Sequence, residues 1–373
     1  MKILHIINNL DKGGAERLLV ETLPLYKSLG YDMSLLQLSS RHSSENYLAK
    51  LASAGITCSS LGDGSVYNPL LIFRLKQYLE SHRFDCIHVH LFPAMYFAIL
   101  STLLTKRLCT GFIFTEHSTV NRRLENKWWR WLDRYVYIRY DRIIAISQPI
   151  AEKLKEHYKL GAKILIIPNG LNLEQINKLP ALTKVQLTNN LGIPVNTCLL
   201  FMAARFAYPK DQISVVKALK FLPENYHLLL AGEGELLKKV EELIEEEALV
   251  NRVHLLGFRD DAIRIMKAVD INILSSAYEG LSGVAIEALA SGKPFLGTDV
   301  PGINDVVPDS RFLFSFGDVN GLADRIIHIT EHAQYASAMV KDAVQYVKQY
   351  DIHRMLSAHT NLYEEVVHEK KAE

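Results

Sequence analysis

Cysteine is scarce in this chain of 373 residues, and the four present, Cys58, Cys86, Cys109 and Cys198, form no Cys-x-x-Cys pair. Such scatter excludes a disulfide framework and a cysteine-ligated zinc knuckle, and fits a reducing compartment. Charge of one sign is equally lacking. With 42 Lys and Arg against 41 Asp and Glu the net charge is +1, without the basic excess of a nucleic-acid binder. Long apolar runs are missing too. The longest, Leu91 to Thr105, holds Pro93 and falls short of the roughly 20 residues a spanning helix needs. The opening MKILHIINNL is interrupted by His5, Asn8 and Asn9 and does not read as a secretory leader. Finally there is no Asp-x-Asp, no His-Glu-x-x-His, no P-loop and no Gly-x-Gly-x-x-Gly. No metal is implied, and a nicotinamide dehydrogenase is disfavoured.

What the chain does have is alternation. KILHII, MSLLQL, DCIHVH, GFIFTE, DRIIAI and KILIIP read as strands, with helical patterns near 14–29, 68–81, 93–106, 122–139 and 148–158 between them. Continuous apolar strands separated by helices predict a parallel sheet covered on both faces. The pattern pauses over the polar stretch 171–197, which holds two prolines. It then restarts with CLLFMAA, YHLLLAG, VHLLGF, DINILSS and PFLGTD. The expectation is an α/β protein of two doubly wound, Rossmann-like domains facing a cleft, residues 1–175 and 176–351. The terminal periodic helix 352–373 is expected to pack back on the first domain. In open α/β sheets ligands bind at the carboxyl ends of strands, so the informative segments are those that follow strands.

One such segment is YEGLSGVAIEALASGKP, residues 278–294, after DINILSS. Its glutamates, Glu279 and Glu287, stand eight positions apart. A short helix is predicted from about Ser282–Gly283, ending near Gly292. Its N-terminus, with Ser282, Gly283 and Val284, presents unpaired amides to a diphosphate. A carboxylate touching that diphosphate would be repelled, so each glutamate is read as serving a neutral part of a ligand, sugar hydroxyls or ribose. On one helix, eight residues would put the two about 12 Å apart along the axis. Paired glycosidase carboxylates sit roughly 5–9.5 Å apart, which weakens an acid/base reading without closing it. In AARFAYPKD, Arg205 and Lys210 share one strand-to-helix loop, where two cations suit a diphosphate leaving group. Gly13 and Gly14 open a helix directly after the first strand. Gly232 and Gly234 flank Glu233, an acid hostile to pyrophosphate. His117 in FTEHST follows a strand and is read as a sugar-side hydrogen-bonding group, with His90 a weaker candidate.

The segment Arg122–Arg142, RRLENKWWRWLDRYVYIRYDR, carries seven Lys and Arg against three Asp and Glu, interleaved with Trp128, Trp129 and Trp131. A basic, aromatic-rich helix suits an anionic membrane surface. A helix whose aromatics pack on the sheet is the plainer alternative.

In order, GGAER, IPNG, Arg205 with Lys210, AGEGEL, LLGF and the Glu279-x7-Glu287 segment resemble the retaining glycosyltransferases of family 4, with the two-domain GT-B fold, over about residues 1–350. The resemblance implies transfer of a sugar, with retention, from a nucleotide-diphosphate donor, a UDP-sugar before a GDP-sugar. It implies a glycan or polyprenyl-linked acceptor in bacterial capsule, O-antigen or exopolysaccharide assembly. No metal and no cofactor beyond the nucleotide-sugar co-substrate are expected. Arg205 and Lys210 would bind the diphosphate, Glu279 the sugar hydroxyls and Glu287 the ribose. Gly14 would face the phosphates, and His117 the reacting sugar. The chain departs from the family in Ala204 and Asp211, where glycine is usual. The implied place is cytoplasmic, with the basic segment admitting contact with the inner face of the membrane. Other readings are a different GT-B enzyme, such as a sugar-nucleotide epimerase or hydrolase, and a non-enzymatic two-domain sugar binder.

Overall fold

The computed structural model describes residues 1–11, 13–105, 110–117 and 127–372, with Lys127 and Trp128 as backbone only. The chain forms two compact units, residues 1–170 with 352–373, and Leu171–Asp351.

In the first unit the strands are β1 (Lys2–Ile7), β2 (Asp32–Gln37), β3 (Thr57–Ser60), β4 (Cys86–His90), β5 (Gly111–Glu116), β6 (Arg142–Ala145) and β7 (Ile164–Ile166). They make one parallel sheet in the order β3-β2-β1-β4-β5-β6-β7. The central strands β4 and β5 are buried along their whole length, as expected of a sheet covered on both faces. The edge strand β3, TCSS, has no apolar run and was not legible as a strand. The helix before it, Glu45–Ser53, buries Leu51 alone and was missed for the same reason.

The helix Ile352–Ala372 belongs to this unit. Its buried residues Ile352, Met355, Leu356, His359, Leu362, Tyr363, Val366 and Val367 recur at three and four positions, the period of a helix face seated on a core. There they join Ile3, Leu23, Leu35 and Ile113. Polar ties hold the same helix. The Tyr31 hydroxyl donates to Glu364 at 2.7 Å, Arg142 pairs with Glu365 and Glu369, each at 2.6 Å, and Lys370 pairs with Asp141 at 3.0 Å.

The second unit contains β8 (Cys198–Ala203), β9 (Tyr226–Ala231), β10 (Val253–Leu255), β11 (Ile271–Leu274), β12 (Phe295–Thr298) and β13 (Leu313–Phe314). These are again parallel, in the order β10-β9-β8-β11-β12-β13. The polar stretch after residue 171 is not a structureless link. It holds the helices Leu173–Lys178, capped by Asn172, and Lys184–Leu191, started by a capping box of Thr183 and Gln186. Pro180 and Pro194 fall outside both helices, so the prolines punctuate helices and do not exclude them.

Candidate functional site

In each sheet the strand order reverses once, and chains leaving adjacent strands there diverge to form a crevice. In the second unit the reversal lies between β8 and β11, where Ile271 pairs with Leu200 and Asn272 with Phe201. The loops leaving those strands, 204–211 and 275–282, are the ones that carry the chemistry-bearing motifs.

The two loops are stitched together by their backbones. The Asp211 amide donates to the Ser275 carbonyl at 3.0 Å and the Ala277 amide to the Pro209 carbonyl at 2.9 Å. Asp211 adds side-chain bonds. One carboxylate oxygen accepts the Ser275 hydroxyl at 3.2 Å, and the other accepts the Ser214 amide at 3.1 Å, capping the helix Gln212–Leu219. An aspartate where the family pattern has glycine therefore acts as cap and cross-loop tie.

This stitching brings Lys210 and Glu279 into an ion pair between Nζ and Oε1, with the side chains 17% and 15% exposed. At that exposure the pair is shielded from water more than a surface pair, and the loss of one partner leaves the other poorly solvated. Arg205 is exposed. Among the described residues its side chain makes no hydrogen bond or ion pair. The expected pair of cations is thus one open cation and one already neutralised.

The loop carrying Arg205 is fixed from below. The Phe206 amide donates to the Glu233 carbonyl at 2.9 Å, and the Leu236 amide to the Phe206 carbonyl at 2.8 Å. Gly234 has φ +153°, and a Cβ there would run into the Phe206 backbone. Gly232 and Gly234 therefore support the Arg205 loop.

Glu279 is fixed by a third loop, which sequence reading passed over. Its amide donates to the Pro301 carbonyl, and the Ser282 amide to the Gly302 carbonyl, both at 3.0 Å. Gly302 sits at φ +82°, and a Cβ on it would collide with the Glu279 backbone. Its amide donates to Asp305 at 2.9 Å. The signal was present as PGIND, a turn composition directly after β12.

The helix Gly283–Ala290 starts where expected, with the Ser282 hydroxyl accepting the Ala285 amide at 3.3 Å. Gly283 is exposed, and a Cβ on it would meet nothing within 4 Å. Val284 is half-buried. The helix start is therefore open and carries the partial positive charge of its free amides. Glu287 lies one turn inside that helix and is 4% exposed. The two glutamates thus stand in different settings: Glu279 is a loop carboxylate with a cationic partner, and Glu287 is nearly enclosed.

In the first unit the reversal lies between β1 and β4. Asn8 spans it, donating to the Phe92 carbonyl at 2.8 Å and accepting the Ala94 amide at 3.2 Å. Gly14 is the exposed first residue of the helix Gly14–Ser28, and a Cβ on it would meet nothing within 4 Å. Glu16, in the same turn, turns its carboxylate toward Gly13. Burial first, and then Asp11, raise its proton affinity above the usual carboxylate range. His117 follows β5 and is half-buried. Burial pushes its pKa down to about 4, so at neutral pH the ring is uncharged and acts through hydrogen bonds. Its Nε2 lies 3.3 Å from Nδ1 of His90, a residue 4% exposed. His5, read in the sequence only as a break in the first strand, is 3.0 Å from the other side of His90.

Of the segment Arg122–Arg142, residues 122–126 and the side chains of Lys127 and Trp128 lie outside what the structure describes. The remainder divides its aromatics by face. Tyr137 and Tyr140 are fully buried, with hydroxyls donating to Glu116 at 2.6 Å and to the Met95 carbonyl at 2.7 Å. Asp133, also fully buried, accepts the hydroxyls of Tyr96 and Tyr158. Trp131 stands on the face away from Asp133, stacked on Tyr135 and 68% exposed, and Trp129 is 43% exposed. The tyrosines pack inward as the plainer reading expects, and these two tryptophans do not. Among the described residues no helix is long and apolar enough to cross a membrane.

The family model "Glycosyltransferase Family 4" matches residues 12–175, and "Glycosyl transferases group 1" matches residues 185–346. The chain is 26% identical to the UDP-Gal:alpha-D-GlcNAc-diphosphoundecaprenol alpha-1,3-galactosyltransferase of Escherichia coli, over 70% of each chain. It is 25% identical to the N-acetylgalactosamine-N,N'-diacetylbacillosaminyl-diphospho-undecaprenol 4-alpha-N-acetylgalactosaminyltransferase of Campylobacter jejuni, over 83% of this chain and 84% of that one. Among solved structures, Anabaena Alr3699/HepE in complex with UDP and glucose superposes with a TM-score of 0.85 at 20% identity, covering 98% of this chain and 100% of that one. At that identity the likeness is one of fold.

Proposed function

Because the chain belongs to the family 4 glycosyltransferases of GT-B fold, we propose that it transfers a sugar, with retention, from a UDP-sugar to a diphosphate-polyprenyl-linked glycan. The observation that carries the donor half is the Lys210–Glu279 pair beside the open start of the helix Gly283–Ala290. Cation, free amides and a hydroxyl-binding carboxylate meet at the switch point of one sheet, and a nucleotide sugar is the ligand that needs all three. The acceptor half is drawn from the two undecaprenyl-linked relatives, and with it a place in surface-glycan assembly.

In this reading Lys210 leaves Glu279 for the diphosphate, joined by Arg205 and by the amides of Gly283 and Val284. Glu279, released, accepts hydrogen bonds from the donor sugar. Glu287 takes the ribose. The positive charge on the leaving group comes from these side chains and amides, with no metal required. In the first unit, His117 is assigned to the reacting sugar and Gly14 to the phosphates on the family resemblance. The acceptor oxygen forms its bond to the anomeric carbon on the face that the diphosphate leaves. The bond from carbon to diphosphate oxygen breaks with its electron pair on the diphosphate, which takes the acceptor proton. Neither glutamate is used as nucleophile or acid.

The exposed Trp129 and Trp131, on a helix that also exposes Arg134, support a seat on anionic lipid, where such an acceptor resides. Binding to anionic vesicles that weakens with salt and in Trp129→Ser/Trp131→Ser is the expected result, and no binding at low salt contradicts it. The transfer is tested by offering UDP-sugars with a sugar-diphospho-undecaprenol acceptor. An α-linked product from an α-linked donor, formed only with acceptor present, supports the proposal. An inverted linkage removes retention, and conversion of the donor without acceptor points to an epimerase or hydrolase.

A further inference from the structure

The first unit holds a run of imidazoles of which the donor chemistry uses only His117. His5 on β1, His90 on β4 and His117 after β5 are joined in line. His5 Nδ1 is 3.0 Å from His90 Nε2, and His90 Nδ1 is 3.3 Å from His117 Nε2. The rings of His5 and His90 are nearly parallel, 7° apart. His5, His88 and His90 also bring ring nitrogens within 4.8 Å of one another, a metal-like cluster. A metal fits it badly. His88 has both nitrogens engaged, by the Tyr363 hydroxyl and the Thr115 hydroxyl at 2.7 Å each, and His90 has both engaged by its two neighbours. Of the ring nitrogens in this cluster, His5 Nε2 is the one buried without a partner among the described residues.

That orphan atom sets the direction of the run. Burial keeps His5, His90 and His117 neutral, so each link carries one proton and the protons all point one way. If they point from His117 inward, His5 Nε2 is an N–H buried with no acceptor. If they point outward, it is an unfilled lone pair. Orphaned buried N–H groups are the rarer of the two in folded proteins. The outward order is therefore favoured: His5 Nδ1–H to His90 Nε2, then His90 Nδ1–H to His117 Nε2. His117 Nε2 is thereby an acceptor, and the ring's proton rests on Nδ1. Among the described residues that nitrogen makes no hydrogen bond.

We propose that His5 and His90 are positioning residues that hold His117 as the tautomer protonated on Nδ1, so that it offers a donor to substrate oxygen. The tautomer stands on the geometry alone. Its use in transfer rests on the function proposed above.

The test is ring-nitrogen NMR of the full-length chain labelled at histidine, with His117 assigned by loss of its signals in His117→Gln. The expected wild-type spectrum shows His117 Nδ1 protonated and Nε2 bare. In His90→Phe the donor to Nε2 is gone, and the proton redistributes toward Nε2. In His90→Asn, whose amide can donate from the same place, it stays on Nδ1. A wild-type His117 protonated on Nε2 overturns the proposal, as does a spectrum indifferent to His90→Phe or one equivalent of zinc in the purified protein. If His90→Phe does not fold, the wild-type spectrum still decides. Where transfer is measurable, loss of one hydrogen bond lowers kcat about tenfold in His90→Phe, with the donor KM unchanged and His90→Asn restoring the rate. An unchanged kcat with a displaced proton overturns the positioning role. The spectrum is read without substrate, so its failure is distinct from a failure of the sugar-transfer reading.

Discussion

Replacing Lys210 by alanine and Glu279 by glutamine should have opposite effects on nucleotide binding, although the two side chains touch. In the free protein Lys210 is already paired, at 17% exposure, with Glu279 at 15%. A hydrogen bond to a charged group contributes roughly 1.5–3 kcal/mol, from which the cost of giving up the existing partner is subtracted. Lys210→Ala also leaves the Glu279 carboxylate unopposed beside the incoming diphosphate. Together these predict about 2 kcal/mol lost on binding UDP, or roughly 30-fold in Kd. Glu279→Gln frees Lys210 from its competitor and removes the repulsive charge. UDP should then bind as in wild type or up to about tenfold tighter, while kcat for transfer falls by about tenfold as the charged acceptor of the sugar hydroxyls becomes a neutral amide oxygen. The double variant should recover part of the loss, because the stranded carboxylate is gone. Isothermal titration of the four proteins with UDP reads all of this. If Glu279→Gln weakens UDP as much as Lys210→Ala does, the ion pair is a structural tie between two loops and the switching argument fails.

Other expectations follow from the same geometry. The buried histidines His5, His88, His90 and His359 have pKa values lowered first of all by desolvation, so the unfolded chain binds protons that the folded one refuses. Stability is then full above the unfolded pKa near 6.5 and falls as pH drops below it, by up to about 1.4 kcal/mol per pH unit for each such group. Thermal melts at falling pH should show this loss, and a flat Tm between about pH 6.5 and 4.5 would contradict it. Gly302→Ala forces a Cβ into the Glu279 backbone at positive φ. It should cost roughly 1–3 kcal/mol and lower transfer more than UDP binding, read by melting and kinetics side by side. Deleting residues 352–373 strips Leu356, Tyr363 and Val366 from the first unit's core. At roughly 1.5–3 kcal/mol per large buried side chain, these three alone remove about 5–9 kcal/mol, as much as the whole stability of a marginal domain. The product should be insoluble or lack the first unit's dispersed NMR signals, and a soluble, fully folded product would contradict the packing.

The parts of this molecule that were legible in its sequence share a cause. Strands such as CLLFMA bury successive residues on both faces, so burial wrote itself as an unbroken apolar run. The start of the helix at Ser282–Gly283 was legible because a serine cap and two glycines are local signals. The edge strand Thr57–Ser60 and the helices Leu173–Lys178 and Lys184–Leu191 were not, since each is half solvated and its composition resembles loop. The site divided the same way. Glu279 and Lys210 could be picked out as residue types after strands, but their pairing could not, because 69 positions separate them and only the packing of β8 beside β11 brings them together. Asp211 and Gly302 act through backbone contacts to other loops, which no local spacing records. His5 looked like a flaw in an apolar strand, and only the neighbouring β4 shows what it faces.

The most direct test of the donor site is a crystal structure with UDP bound. The account predicts the diphosphate against Lys210, Arg205 and the amides of Gly283 and Val284, with Lys210 drawn off Glu279 and the ribose at Glu287. Nucleotide bound elsewhere, or bound with the Lys210–Glu279 pair intact, would contradict it.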